Sequence, residues 1–142
     1  MTTLVIDASV ALKWLVPEEM SDVAKELYGF GGRLVAPRLI MTEVANALVR
    51  KVIQGLLTHQ QATYHFNSLS LLLPELFDVD DLIAPALENA CLLRHPIYDL
   101  IYLEVARHFN AQFVTADRRF AAKLAGTDFA HQVILLSEWR CA

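Results

Sequence analysis

Short apolar runs alternate along this chain with longer stretches in which apolar positions recur every three or four residues. Leu4-Val5-Ile6 ends at Asp7 and reads as a buried strand. Ser9 can cap the helix that follows, Val10 to Leu15, which stops at Pro17. Ser21 or Asp22 opens a second helix through Leu27, ended by Gly29, and the Gly-Phe-Gly-Gly stretch from Gly29 to Gly32 is a turn. Arg33 to Ala36 is a second short strand, closed by Pro37. Leu39 to Ile53 is helical, with Leu39, Val44, Ala47 and Leu48 on its core face and Gly55 at its end. Thr58 caps the next helix, Gln61 sits at the capping-box position, and the helix runs to Leu73 before Pro74. Leu76 to Val79 predicts a third strand, Asp80 or Asp81 opens a helix to Leu93, and Pro96 starts another through His108. Gln112 to Thr115 is a strand ending near Asp117, Arg119 to Leu124 a short helix, and Val133 to Leu136 the last strand.

The strands are short, apolar and not amphipathic, and helices separate them. That alternation predicts an α/β fold with a parallel sheet covered by helices on both faces. Ligands of such sheets sit beyond the carboxyl ends of the strands, where the strand order reverses. No repeat or Gly/Ser/Pro-rich linker divides the chain, so residues 1–142 are expected to form a single domain.

Composition narrows the function classes. With 55% hydrophobic residues and a mean hydropathy of +0.36, part of the apolar surface is expected to be covered by a partner or a second copy. A net charge of -4 argues against a sequence-independent nucleic-acid coat, which needs a broad basic surface, but permits an enzyme with a local basic rim. Cys91 and Cys141 show no metal-ligand spacing and read as reduced thiols. The N-terminus lacks a basic region before its apolar run, and stretches such as Leu69 to Leu73 are too short to span a bilayer. A cytoplasmic protein without membrane contact is expected.

Four acids carry the candidate chemistry. Asp7 and Asp117 both follow apolar strands and would project from the carboxyl edge of the sheet. A helix N-cap is the alternative explanation for each. Glu43 sits in a largely apolar helix, with Asn46 three residues on and sharing its face, and alone it reads as a solvent-facing glutamate. Asp99 lies in the first turn of its helix, where the helix dipole alone would favour it. Were all four to converge, they would repel one another and raise each other's pKa values unless divalent cations compensated. An all-oxygen donor set favours Mg²⁺ or Mn²⁺ over zinc, and such ions work with phosphates.

The same residues resemble a known family. Leu4-Val5-Ile6-Asp7-Ala8-Ser9 is similar to the opening of PIN domains. Glu43-Val44-Ala45-Asn46-Ala47-Leu48 resembles their second acidic motif, Pro96 to Tyr102 the third, and Val114 to Phe120 the fourth. The four in order, over nearly the whole chain, look most like the VapC toxins of bacterial and archaeal toxin–antitoxin pairs. The resemblance implies a PIN-like three-layer α/β/α fold with a central parallel sheet, and Mg²⁺- or Mn²⁺-dependent endoribonuclease activity on an RNA substrate. It also implies a VapB-type antitoxin whose C-terminal segment blocks the site, and a homodimer. Carried over, Asp7, Glu43, Asp99 and Asp117 are the acidic ligands, and Ser9 and Thr115 are the motif's hydroxyl residues.

Other residues add less. Arg118 and Arg119 are the local candidates for gripping an RNA backbone, with Lys13 and Arg38 behind them. The histidines form no triad with a serine or cysteine and read as surface or partly buried residues. Asp78, Asp80 and Asp81 lack the rest of a calcium loop and read as loop and helix-start acids. Trp14 and Trp139 read as core or interface residues, and the Leu69 to Leu73 segment as a possible partner surface. Two alternatives compete with the nuclease: a metal-dependent phosphatase with Asp7 as nucleophile, although Ser9 stands where such sites want a second aspartate, and a non-catalytic binding module on the same fold.

Overall fold

Five strands form where the apolar runs lie: β1 (Thr3–Ile6), β2 (Arg33–Pro37), β3 (Glu75–Phe77), β4 (Gln112–Thr115) and β5 (Val133–Leu135). This is a computed structural model, and it describes residues 2–72 and 75–140. All strand pairs are parallel, in the order β3-β2-β1-β4-β5. From β1 the chain builds outward to β2 and β3, then crosses back to add β4 and β5 on the other side. The reversal therefore falls between β1 and β4, and there the carboxyl ends open a crevice.

Among the described residues, seven α-helices cover the sheet: α1 (Ala8–Leu15), α2 (Ser21–Glu26), α3 (Leu39–Ile53), α4 (His59–Leu72), α5 (Ile83–Leu93), α6 (Ile97–His108) and α7 (Arg118–Leu124). Helices α1 to α4 pack among themselves, with α1 also on β4 and α3 on β2, while α5 packs on α6, which lies across β1, β2 and β4. The resulting α/β/α layering is the one expected. Along α6 the residues from Leu100 to Ala106 are all buried, Glu104 among them. Glu104 is tolerated there because its carboxylate accepts from Asn89 Nδ2 at 2.8 Å and Arg107 at 3.0 Å. Trp14 and Trp139 are core residues; Trp14 Nε1 donates to the Ala24 carbonyl at 2.7 Å.

Most boundaries match the apolar pattern, and the departures have causes. The capping box at Thr58 forms in both directions, with Thr58 N–H donating to Gln61 Oε1 at 2.8 Å and Gln61 N–H to Thr58 Oγ1 at 3.1 Å. The expected end of that helix, Leu73 before Pro74, lies outside the described residues, as does Cys141. Cys91 is an exposed free thiol. The core face of α3 is Ile40, Val44 and Leu48 rather than one containing Leu39, which is only partly buried. Strand β3 sits nearer the N-terminus than Leu76 to Val79, pinned by Arg33 Nε on the Glu75 carboxylate at 2.8 and 2.9 Å. Asp80 to Leu82 forms a 3₁₀ turn instead of opening α5; Pro85, in the first turn of α5, crowds the carbonyl four residues before it and blocks an earlier α-helical start. Leu69 is fully buried whereas Leu71 is exposed, so that segment is divided between core and surface.

Candidate active site

Strands β1 and β4 are neighbours in register, Ile6 opposite Val114. The ladder continues one step further, as Asp7 N–H donates to the Val114 carbonyl at 3.1 Å. The main chain then turns into α1, whose first amides, Val10 and Ala11, donate to the Asp7 carbonyl at 3.0 Å each. Asp7 is thus the N-cap residue of α1, but its carboxylate caps no amide. This corrects the expectation that Ser9 caps the helix. Ser9 lies inside the first turn, and its hydroxyl turns back to Asp7.

Two hydroxyls hold Asp7. Ser9 Oγ and Thr115 Oγ1 each donate to Asp7 Oδ2 at 2.7 Å. Each also accepts a backbone N–H from the turn after β4: Ala116 to Ser9 at 3.1 Å, Asp117 to Thr115 at 3.0 Å. They therefore act as bridges between the β1 and β4 strand ends. Asp117 is the N-cap of α7, with Oδ1 accepting from Arg119 N–H at 3.0 Å and Phe120 N–H at 3.1 Å. The capping explanation thus holds for one oxygen of Asp117.

Glu43 comes from the second turn of α3 and is half-buried; its Oε1 is buried with no hydrogen-bond partner. Beside it lies the Tyr102 hydroxyl from α6, likewise buried and unpartnered at full hydrogen-bond geometry, but close enough to ease the Glu43 charge. Asp99, in the first turn of α6, meets His95 Nε2 at 2.7 Å through Oδ2. Neither Tyr102 nor His95 was expected in the site. His95 had a readable signal in its position four residues ahead of an acid, which a search for Ser or Cys triads passes over.

The acids act on one another. Burial, helped by the charges of Asp99 and Glu43 and opposed by the Ser9 and Thr115 bonds, lifts the Asp7 carboxyl to a pKa of about 7. Glu43 is raised by burial, eased by Tyr102 and raised again by Asp99. Asp99 is raised by burial, eased by the His95 hydrogen bond, and raised again by Asp117. Each of the four thus lies within repulsive reach of at least one other, in a single cluster at the switch point. As the side chains stand, no three metal-type donors among the described residues close around one point.

The remaining candidates are spread around this cluster. Asn46 is exposed and makes none of the site's hydrogen bonds among the described residues. Arg118 and Arg119 are both exposed. Arg118 lines a pocket of about 100 Å³ beside Ala116, together with Lys13, Glu19 and Ser137, whereas Arg119 does not. Lys13 also pairs with Glu18 at 3.5 Å, and Arg38 is exposed after β2.

The chain is similar to known proteins over most of its length. The family model for the PIN domain matches residues 4–124. Ribonuclease VapC3 of Pyrobaculum aerophilum is 31% identical over 129 residues, covering 84% of this chain and 93% of that protein. Among solved structures, PAE2754 from Pyrobaculum aerophilum superposes with a TM-score of 0.72 at 20% identity, covering 96% of this chain and 85% of that one. A toxin–antitoxin complex from Klebsiella pneumoniae gives 0.66 at 13% identity, covering 94% of this chain and 97% of that one. VapC20 of Mycobacterium tuberculosis, a toxin that cleaves the sarcin–ricin loop, gives 0.62 at 21% identity, covering 87% of this chain and 95% of that one.

Proposed function

This chain belongs to the PIN-domain family, in its VapC group, and on that premise we propose that it is a divalent-metal-dependent endoribonuclease, the toxin of a toxin–antitoxin pair. What supports the proposal is the mutual repulsion that links Asp7, Glu43, Asp99 and Asp117 pair by pair beside the β1/β4 switch point, with three of them raised by burial and by one another.

The donor set fits Mg²⁺ or Mn²⁺. All four donors are carboxylates, hard oxygen ligands, and the buried Glu43 Oε1 lacks a partner that a cation would provide. Mg²⁺ commonly binds through one or two carboxylates and keeps several waters, so a closed cage of three side chains is not required. Asp7, Glu43, Asp99 and Asp117 would hold it. Bound there, the cation would lower the pKa of the attacking water and offset the charge that grows on the phosphate. Ser9 and Thr115 hold Asp7 in one orientation, and the Asp117 cap fixes the opposite wall of the crevice. Arg118, on the rim beside Asp117, is the proposed contact for the RNA backbone; Asn46, further out on α3, would touch substrate only beyond the scissile phosphate.

The phosphatase alternative fits less well, because Asp7 is buried and its Oδ2 already accepts two hydroxyls, which hinders attack on phosphorus. A VapB-type antitoxin and a homodimer belong to the same proposal. Exposed apolar side chains on and after α3 and on α4, among them Val49, Ile53, Leu56, Tyr64 and Leu71, offer either one a surface to cover. No helix among the described residues is long and apolar enough to cross a membrane. An RNA substrate and an antitoxin partner would both be met in the cytoplasm, which is the location that belongs to this proposal.

The test is cleavage of RNA by the purified chain. Cleavage is expected only with Mg²⁺ or Mn²⁺, and Asp7→Asn should reduce it about a thousandfold. Undiminished cleavage in EDTA would sink the proposal. Antitoxin binding without any cleavage by the wild type would favour the binding module instead.

A further inference from the structure

Helix α5 ends at Arg94 in the left-handed conformation (φ 54), unusual for a residue with a side chain. His95 N–H then donates back to the Ala90 carbonyl at 3.0 Å. The turn delivers the His95 ring between α6 and α7, where it packs on Phe120 with ring centroids 4.8 Å apart. Both ring nitrogens are engaged. Nε2 lies 2.7 Å from Asp99 Oδ2, and Nδ1 lies 3.3 Å from Lys123 Nζ, which also donates to the Arg94 carbonyl at 3.1 Å. An ammonium offers only donors, so Nδ1 must accept. That assigns the ring proton to Nε2, which donates it to Asp99.

We propose that His95, braced by Lys123 and Phe120, is a positioning residue that locks the Asp99 carboxylate with Oδ2 engaged and Oδ1 left as the ligand oxygen. Without the lock, the Asp99 carboxylate has other rotamers open to it, and holding an ion would cost the ordering that His95 now supplies. The brace also ties α6, which carries Asp99, to α7, which Asp117 opens, so the two rim acids keep their spacing. This rests on the reading of the four acids as metal ligands. Partners of this kind behind a ligand change metal affinity by about 10- to 100-fold.

The experiment measures Mn²⁺ affinity by calorimetry on the full chain. His95→Phe keeps the packing on Phe120 and removes both nitrogens, and it should weaken Mn²⁺ binding at least about tenfold. His95→Gln, whose amide can donate to Asp99, should recover most of that loss, and Lys123→Met should weaken binding a few-fold. Wild-type affinity in His95→Phe overturns the proposal, as does a His95→Gln variant no better than His95→Phe. A second readout needs no metal: the nitrogen NMR spectrum of the His95 ring should show the Nε2-protonated form, and an Nδ1-protonated ring would overturn the assignment. Should His95→Phe fail to fold, Lys123→Met and the spectrum decide. A wild-type chain that takes up no Mn²⁺ overturns the metal reading and this inference together, whereas wild-type uptake with an indifferent His95→Phe overturns the inference alone.

Discussion

Asp7 and Asp117 stand at the ends of neighbouring strands, yet the fold treats them in opposite ways. Asp7 is 6% exposed, and among the described residues only two hydroxyls hydrogen-bond its carboxylate. Asp117 is half-buried and accepts two amides at the positive end of α7. One acid is held against the preference of its charge for water, while the other is stabilised by the helix it starts. The same residue type at the same sheet edge can thus tax the fold or support it, depending on whether amides or apolar neighbours surround it.

The largest expected effect tests the burdened member. Its pKa of about 7 lies above the ordinary 3.8, so the folded chain holds that proton more tightly than the unfolded chain. The penalty is absent below about pH 4, grows as pH rises, and is complete above about pH 7, reaching ~4 kcal/mol. Glu43 and Asp99 shift in the same direction. Metal-free protein should therefore melt at lower temperature at pH 8 than at pH 5. Asp7→Asn or added Mg²⁺ should flatten that slope, and a melting temperature that climbs over this window breaks the comparison. Thr115→Val comes next. It removes a donor from Asp7 and an acceptor from the Asp117 amide, and urea unfolding should show a loss of about 2 kcal/mol. The smallest effect concerns Asp117. Its replacement by alanine should cost about 1 kcal/mol of stability through the lost cap, whereas Asp117→Asn keeps the cap and loses cleavage. Equal stability losses in the two variants would remove the distinction drawn here.

The contrast also separates what the amino-acid pattern reveals from what it hides. An apolar run ended by an acid is a local signal, so Asp7 and Asp117 are legible from chain order and the sheet rule alone. The Thr58 capping box is legible for the same reason. The crevice itself is not local. The hydroxyl of Thr115 points at Asp7 because β4 docks beside β1, and only the resemblance to PIN domains drew Glu43 and Asp99 to the same place. Ser9 does not cap the helix because a serine two residues after a strand-end acid has two possible partners, and its hydroxyl donates to the Asp7 carboxylate instead of accepting from the amides of α1. His95 offers one local signal, its place four residues ahead of Asp99, but the left-handed turn at Arg94 that aims its ring is marked by no glycine. Helix α6 lacks a clean polar face for a related reason: it is covered nearly all round, and Glu104 is satisfied by partners the pattern does not display.

The bridge from Thr115 to Asp7 spans 108 positions of the chain. A ribosome therefore releases the first acid long before the strand that completes its surroundings. Until β4 has emerged and inserted beside β1, the growing polypeptide carries Asp7 and Asp117 apart and has no crevice between these strand ends. Because these partners stand 108 positions apart, the order of synthesis is also an order of assembly, and the surroundings of Asp7 are complete only once β4 has docked.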